Sequence, residues 1–446
     1  MDYDSMKSFI CKHTFGTWRK QKSWQSPLFV KKANGSIFYD EKNNAYIDFS
    51  SQLMCSNLGH NNKHIIEAIK KQADELAYIA PSYITDVTFK AVSALVDILP
   101  SNLNNLFFSP SGTESNEGAI LMIRQYKRPA YKIISRYRSY HGATAGSISL
   151  TGDPRRWFVE PYNTMEGVVF APDCYCYRCP FSLTYPSCDV ACAKYVEYMI
   201  KEEGNVAAII VEPVVGTNGI IVPVKEYLPR LRRIADENNV LLVFDEVMSG
   251  WFRCGKLFAF QNWDVTPDII TTAKGCTAAY TPLGITITNE KIKDFFTDNY
   301  FAHGHTYANH PLGLSAIPAA INEYKRLFES GDIARTAQYL EKALLHLKDT
   351  HTSIGDVRGL GHFWAVEIVK NRDTKEPFNT KTDKAKGAPL MTDKVGSVAF
   401  KNGLYINTWY NHFIVAPPLI ITEKEIDKAI NIFDEALNIA DAETTN

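Results

Sequence analysis

At 446 residues the chain exceeds the ~250–300 residues that one hydrophobic core usually serves, so two or more domains are expected. Hydrophobic residues make up 45% and charged residues 22%, the balance of an ordinary soluble globular protein. A formal net charge of −1 without any basic tract argues against nucleic acid or an anionic membrane as partner. The opening Met1-Asp-Tyr-Asp-Ser-Met-Lys7 has no apolar core of a signal peptide. The most apolar stretch, 206–224, is broken by Glu212, Asn218, two glycines and two prolines, so it reads as strand, loop and strand rather than a bilayer span. A cytoplasmic location is expected.

Residues 1–60 read as an irregular lead with short strands. Asn34-Gly35 and Asn43-Asn44 supply its hairpin turns. Apolar residues three and four apart predict helices at 62–77 and 86–99. From 103 to 290, seven apolar runs (106–108, 132–135, 168–170, 207–211, 241–244, 269–272 and 284–288) alternate with helical segments at 113–128, 191–203 and 225–238. Repeated strand–helix units imply a largely parallel sheet with helices on both faces. The short gap before 284–288 leaves room for an antiparallel connection there. Beyond Pro311 come long helices at 311–327 and 333–350, strand-like pieces at 354–368 and 404–415, and a closing helix at 423–440. The lysine-rich stretch 370–390 reads as an exposed loop. The expected division is an N-terminal segment (1–60) that contributes to the small domain, a large domain (61–320) and a C-terminal small α+β domain (321–446).

Several strand ends carry chemistry. Asp245 closes one apolar run and Lys274, 29 residues later, closes another. Ligands in open α/β sheets sit beyond the carboxyl ends of the strands, so a carboxylate and an amine are delivered toward one cleft. A pyridoxal-phosphate (PLP) enzyme needs both: a lysine to condense with the aldehyde and a carboxylate to keep the pyridine nitrogen protonated. A structural salt bridge is the other reading. Ser109-Pro-Ser111-Gly112-Thr113-Glu114 joins a strand to a helix and offers backbone N–H groups to an anion, or simply caps the helix. Tyr140-His141-Gly142 follows a strand, where the tyrosine stacks on a flat ring or stays at the surface. Glu212 ends a third strand and holds cofactor or substrate groups from behind, or pairs with a nearby cation. Val247 is placed to pack on a ring opposite Tyr140.

Five of the nine cysteines, Cys174, Cys176, Cys179, Cys188 and Cys192, crowd together. Their spacing matches no common zinc ribbon, so free thiols in a surface loop are favoured over a structural zinc site. His303, His305 and His310 fall within eight residues but have no neighbouring carboxylate or cysteine, and a glycine-rich turn accounts for them. No metal is therefore expected.

Taken in order, Gly35-Ser-Ile-Phe-Tyr-Asp40, Leu58-Gly59-His60, Ser111-Gly-Thr-Glu-Ser-Asn-Glu117, Tyr140-His-Gly142, Val211-Glu-Pro213, Asp245-Glu-Val247, Lys274-Gly275, Gly304-His-Thr-Tyr307 and Pro417-Pro-Leu419 resemble the class III PLP-dependent aminotransferases of fold type I. The resemblance runs from about Trp18 to the closing helix. It implies an α/β large domain with a mainly parallel seven-stranded sheet flanked by helices, and a smaller α+β domain built from both chain ends. It implies that Lys274 carries the cofactor and moves the proton of the 1,3 shift. Asp245 then faces the pyridine nitrogen, while Ser111, Gly112 and Thr113 bind the phosphate. Tyr140 and Val247 take the two ring faces, His141 lies beside them, and Glu212 lies toward the 3-hydroxyl. Thr306 reaches the phosphate of a second subunit, so a homodimer is the smallest competent unit. Partners are an amine donor and a 2-oxo acid.

One departure matters. Many members of the family hold an arginine shortly before Pro-Pro-Leu to grip a substrate carboxylate, whereas this chain has Asn411 and His412 there. Arg155 or Arg156 is the expected replacement, and Arg156 is taken as the substrate contact, with His412 beside it. The stretches around Trp18, Leu53 and 152–157 look most like a subgroup using taurine, β-alanine or other ω-amino acids with 2-oxoglutarate or pyruvate, with Trp18 walling the donor pocket. Rival readings are another PLP reaction, such as an aminomutase or a decarboxylase, and a catalytically silent zinc-bearing interaction protein.

Overall fold

In the computed structural model, which describes residues 2–162 and 164–445, the seven apolar runs pair into one sheet. Its order is 105–109, 284–288, 269–273, 241–245, 206–211, 132–136 and 168–171. Five of the strands run parallel through their neighbours, and 284–288 is antiparallel to both of its own. That one reversal, expected from the short connection, leaves 105–109 pointing the same way as the parallel strands. Val206–Val211, Leu241–Asp245, Ile269–Ala273 and Gly284–Thr288 are buried at every position, which is why they read as continuous apolar runs rather than alternating ones. A Cβ on Gly284 would lie 2.2 Å from Ser111 O and 2.3 Å from Ser115 Oγ, so only glycine lets the loop after 105–109 settle against this strand.

The chain ends build two further sheets. Val30–Asn34, Ile37–Asp40 and Ala45–Asp48 form an antiparallel meander, and Leu404–Tyr405 adds to it in parallel. Ile354–Leu360, Phe363–Asn371, His412–Val415 and Asn407–Thr408 form an antiparallel sheet. Leu340, Leu344, Val395, Phe433 and Leu437, from the helices Asp332–Thr350, Met391–Lys401 and Glu423–Asp441, close its core together with Ile47 and Phe49.

Several helices fall outside the expected segments, among them three toward the chain ends. Tyr3–His13 replaces part of the irregular lead; it buries no side chain, and Asp2 caps it by accepting from Ser5 N at 2.7 Å. Lys381–Lys386 lies inside the stretch expected to be a loop, closed at its start by the capping box of Thr380 and Asp383. Met391–Lys401 forms because Met391, Val395 and Ala399 fall on one buried face, a stripe too short to stand out in a polar region.

Glu367 fastens the C-terminal sheet to the cysteine-bearing loop. It is 1% exposed along its side chain and accepts from Arg178 Nε at 2.7 Å, Asn411 Nδ2 at 3.0 Å and Tyr175 OH, with Arg358 Nη1 at 2.9 Å. Burial alone would raise its pKa, but the guanidinium groups of Arg358 and Arg178 outweigh burial and hold it at about 2, below the usual 4.5. A depressed carboxylate stabilises the fold above its unfolded pKa, and that stability is lost as pH falls from about 4.5 toward 2. Glu367→Gln is expected to destabilise the protein by about 3–5 kcal/mol near neutral pH, because it leaves buried cations uncompensated. It should also flatten the acid limb in that window, as read from urea midpoints over a pH series.

Candidate active site

Parallel strands ending at one edge of the large sheet bring their following residues together. Tyr140 and His141 follow 132–136, Glu212 follows 206–211, Asp245 ends 241–245 and Lys274 follows 269–273. Ser111, Gly112 and Thr113 follow 105–109 at the same edge. The side chain of Asp245 is 3% exposed and fully engaged by donors. Its Oδ2 accepts from Asn116 Nδ2 at 2.8 Å and meets His141 Nδ1 at 2.8 Å; its Oδ1 accepts from Val247 N at 3.0 Å. Asn116 in turn donates to His141 O at 2.7 Å and accepts from Thr271 Oγ1 at 2.7 Å. Asn116 was not singled out from the sequence. It stands in the Ser111–Glu117 motif without a role of its own assigned there, one turn into the Gly112–Tyr126 helix on the side facing the sheet.

Glu212 is buried and accepts from Tyr140 N at 3.0 Å and Gly216 N at 2.7 Å. Burial raises its pKa, with His141 pulling the other way. Lys274 has φ +48°, a left-handed conformation that costs a lysine about 1–3 kcal/mol and concentrates at functional sites. Its Nζ makes no hydrogen bond or ion pair among the described residues. Burial lowers its pKa, the charges of Cys55, Asp245 and Glu212 oppose that, and Arg155 adds to it. A desolvated amine of this kind keeps a larger neutral fraction, which is the form that attacks a carbonyl or accepts a proton.

Ser111 caps the helix Gly112–Tyr126, its Oγ accepting from Glu114 N at 3.3 Å. The N–H groups of Gly112 and Thr113 meet no acceptor among the described residues, so they remain for an anion at the positive helix end. A Cβ on Gly112 would lie 2.8 Å from Val247 Cγ1, so Val247 packs directly on the start of this helix. This donor set fits PLP: amides for its phosphate, a buried carboxylate for its ring nitrogen and a free amine for its aldehyde. Thr306 is exposed on the single chain and its carbonyl accepts from Tyr78 OH at 3.0 Å.

The substrate side differs from expectation. Arg156 is committed elsewhere: Nε donates to Thr151 O at 2.9 Å, Nη1 pairs with Glu160, and the guanidinium lies 4.4 Å from the Phe170 ring centroid. Its neighbour Arg155 instead lies 3.7 Å above the Tyr140 ring, with Trp409 at 5.1 Å, and Asp153 accepts from its Nε at 2.9 Å. His412 is fully buried between Thr217 O at 3.0 Å and Asn411 Oδ1 at 2.9 Å, and burial lowers its pKa to about 3. It is therefore neutral and offers no charge to a carboxylate. Trp18 and Leu53 are 62% and 46% exposed. Cys55, two residues beyond Leu53, is the residue of that turn that acts on Lys274.

All nine cysteines are free, and Cys174 is buried, its thiol accepting from Arg136 Nη1 at 3.4 Å. Burial pushes the Cys174 thiol up to about 11 and Cys192 up to about 12. His303 and His305 pack with Phe107 at 5.1 and 5.8 Å. Among the described residues no group of three or more histidine, cysteine or acidic side chains is placed to hold a metal, and no helix is long and apolar enough to cross a membrane.

The profile of the family "Aminotransferase class-III" matches residues 19–437. Similar proteins include the putrescine–pyruvate aminotransferase of Pseudomonas aeruginosa, 31% identical over 94% of this chain and 92% of that one. The taurine–pyruvate aminotransferase of Bilophila wadsworthia is 34% identical over 94% and 93%, and the leucine/methionine racemase of Thermococcus litoralis is 33% identical over 94% and 92%. Among solved structures, the taurine:2-oxoglutarate aminotransferase of Bifidobacterium kashiwanohense, in complex with PLP and glutamate, superposes with a TM-score of 0.93 at 32% identity, covering 100% of this chain and 99% of that one. These matches remove the reading of a catalytically silent scaffold. Asn116→Ala is expected to weaken PLP binding about tenfold (~1.4 kcal/mol), because Asp245 loses a donor and the Thr271 hydroxyl loses its acceptor. Absorbance titration of the apoenzyme with PLP measures this.

Proposed function

Because the chain belongs to the class III aminotransferases, PLP enzymes that move an amino group between an amine donor and a 2-oxo acid, we propose that its donor is taurine, β-alanine or a similar ω-amino acid and its acceptor 2-oxoglutarate or pyruvate, in two ping-pong half-reactions. The observation that carries this reading is the juxtaposition of a fully hydrogen-bonded buried Asp245 with an unpaired, desolvated Lys274 at one sheet edge. PLP supplies an electron-withdrawing ring and an aldehyde. Asp245 would hold a proton on the ring nitrogen, and Gly112 and Thr113 would anchor the phosphate away from the reacting carbon. Tyr140 and Val247 would confine the ring, and Glu212 would serve the 3-hydroxyl side. Lys274 would be the covalent attachment point, and its Nζ would take the proton from the substrate carbon and return it one bond away, a role its lowered pKa favours.

Arg155 takes the place of the missing carboxylate-binding arginine. It already stands over Tyr140 with its Nε/Nη2 edge held by Asp153, which leaves Nη1 to donate to a carboxylate or sulfonate. The exposed Thr306 serves the phosphate of a second copy, which makes a homodimer the working unit. The racemase among the relatives supports one other reading, a different PLP reaction on the same scaffold. Amino transfer from taurine or β-alanine to pyruvate or 2-oxoglutarate separates the two; racemisation without net transfer would overturn the proposal.

Lys274→Ala is expected to lower turnover about a thousandfold or more and to leave PLP bound without a covalent link. Borohydride reduction followed by peptide mapping checks this, and a reduced adduct at another lysine would reassign the role. Arg155→Ala is expected to cut kcat/KM for acidic substrates about 10–100-fold more than for uncharged ones, as loss of a charge-assisted pair implies, whereas Arg156→Ala affects both alike. Parallel kinetics on the two variants make the comparison.

A further inference from the structure

Arg155 is held by an assembly that reaches well beyond the cleft. Asp153 has no exposed surface; it caps the short helix Pro154–Trp157 through Arg155 N at 2.8 Å and accepts from Arg155 Nε at 2.9 Å. Asn218, equally buried, donates from Nδ2 to Asp153 Oδ2 at 3.1 Å and to Ser139 O at 3.2 Å. Both neighbours are acceptors, so the amide can face them only with its NH₂. Asn218 sits in a loop whose three successive carbonyls are each taken by a different side chain. His412 Nε2 donates to Thr217 O at 3.0 Å, Arg138 Nη1 to Asn218 O at 3.3 Å and Arg358 Nε to Gly219 O at 2.7 Å. His412 and Arg358 belong to strands of the C-terminal sheet, and Trp409 beside Arg155 lies between two strands of that sheet. The first residue of the loop, Gly216, donates to Glu212.

We propose that Asn218 is a positioning residue for acid recognition: by bracing Asp153 it fixes the Arg155 guanidinium over Tyr140, and the grip of His412 and Arg358 on the 217 and 219 carbonyls sets that position from the C-terminal sheet, with Arg138 holding the 218 carbonyl from the large one. A free arginine has many rotamers and loses their entropy when it binds an acid. One already fixed by a bidentate carboxylate has lost it beforehand, so preorganisation raises acid affinity without a direct contact from Asn218. The inference rests on the reading of Arg155 as the acid-binding group.

The test uses the amine-loaded holoenzyme and measures kcat/KM for an oxo acid (pyruvate or 2-oxoglutarate, whichever the wild type turns over faster) relative to butanal, which has the carbonyl but no charge. Asn218→Ala is expected to lower that ratio about tenfold, as the loss of one brace worth ~1.4 kcal/mol implies, with the PLP absorbance spectrum unchanged. On top of Arg155→Ala it should lower the ratio no further. A folded, yellow Asn218→Ala enzyme with the wild-type ratio overturns the proposal, and so does an effect that adds in full to that of Arg155→Ala. If Arg155→Ala itself leaves the ratio unchanged, the acid-recognition reading falls first and takes this inference with it. Should Asn218→Ala fail to fold, Asp153→Asn, which keeps the shape and removes the charge, puts the same question with the same expected drop.

Discussion

A buried carboxylate held by three donors of the protein is the constraint around which this site is organised. Asp245 is shut off from water, and taking such a charge into the interior costs several kcal/mol unless donors replace its hydration. Here Asn116, His141 and the amide of Val247 do so. The carboxylate therefore ties the helix Gly112–Tyr126 and the turn after strand 132–136 to the end of its own strand.

The same economy explains the lysine. An amine placed near two buried carboxylates would ordinarily be pulled into a salt bridge. Lys274 makes none; Asp245 and Glu212 are each held by other donors. The backbone contributes as well: the left-handed turn at Lys274 directs the chain out of its strand into a short 3₁₀ turn, whose Gly275 has no room for a side chain beside Trp251. Strain in the turn and desolvation at the amine act on one residue, which is where an enzyme gains from both.

Much of this could be read in the chain. Apolar runs closed by Asp245, Glu212 and Lys274 announced strands whose ends meet, since parallel strands in one sheet present their carboxyl ends at a common edge. The reversed strand at 284–288 was foreshadowed by its short connection. What escaped had no local signature. Asn116 looks like any polar helix residue, and its importance comes from Thr271 and Asp245, 155 and 129 positions away. The helices Tyr3–His13 and Lys381–Lys386 bury nothing of their own, so periodicity could not mark them.

The choice between two adjacent arginines shows where the division falls. Sequence by itself determined the family, the sheet and the lack of an arginine before Pro417, because each depends on residue type and on patterns within a few dozen positions. It could not decide that Arg155 stacks on Tyr140 while Arg156 is taken by Glu160 and Phe170, or that His412 is buried and neutral. Those outcomes depend on burial and on partners supplied by distant segments, Asp153 braced by Asn218 and His412 held by Thr217 O. Charge state and side-chain direction are properties of a packed environment, and that environment exists only once the C-terminal sheet has closed against the large one.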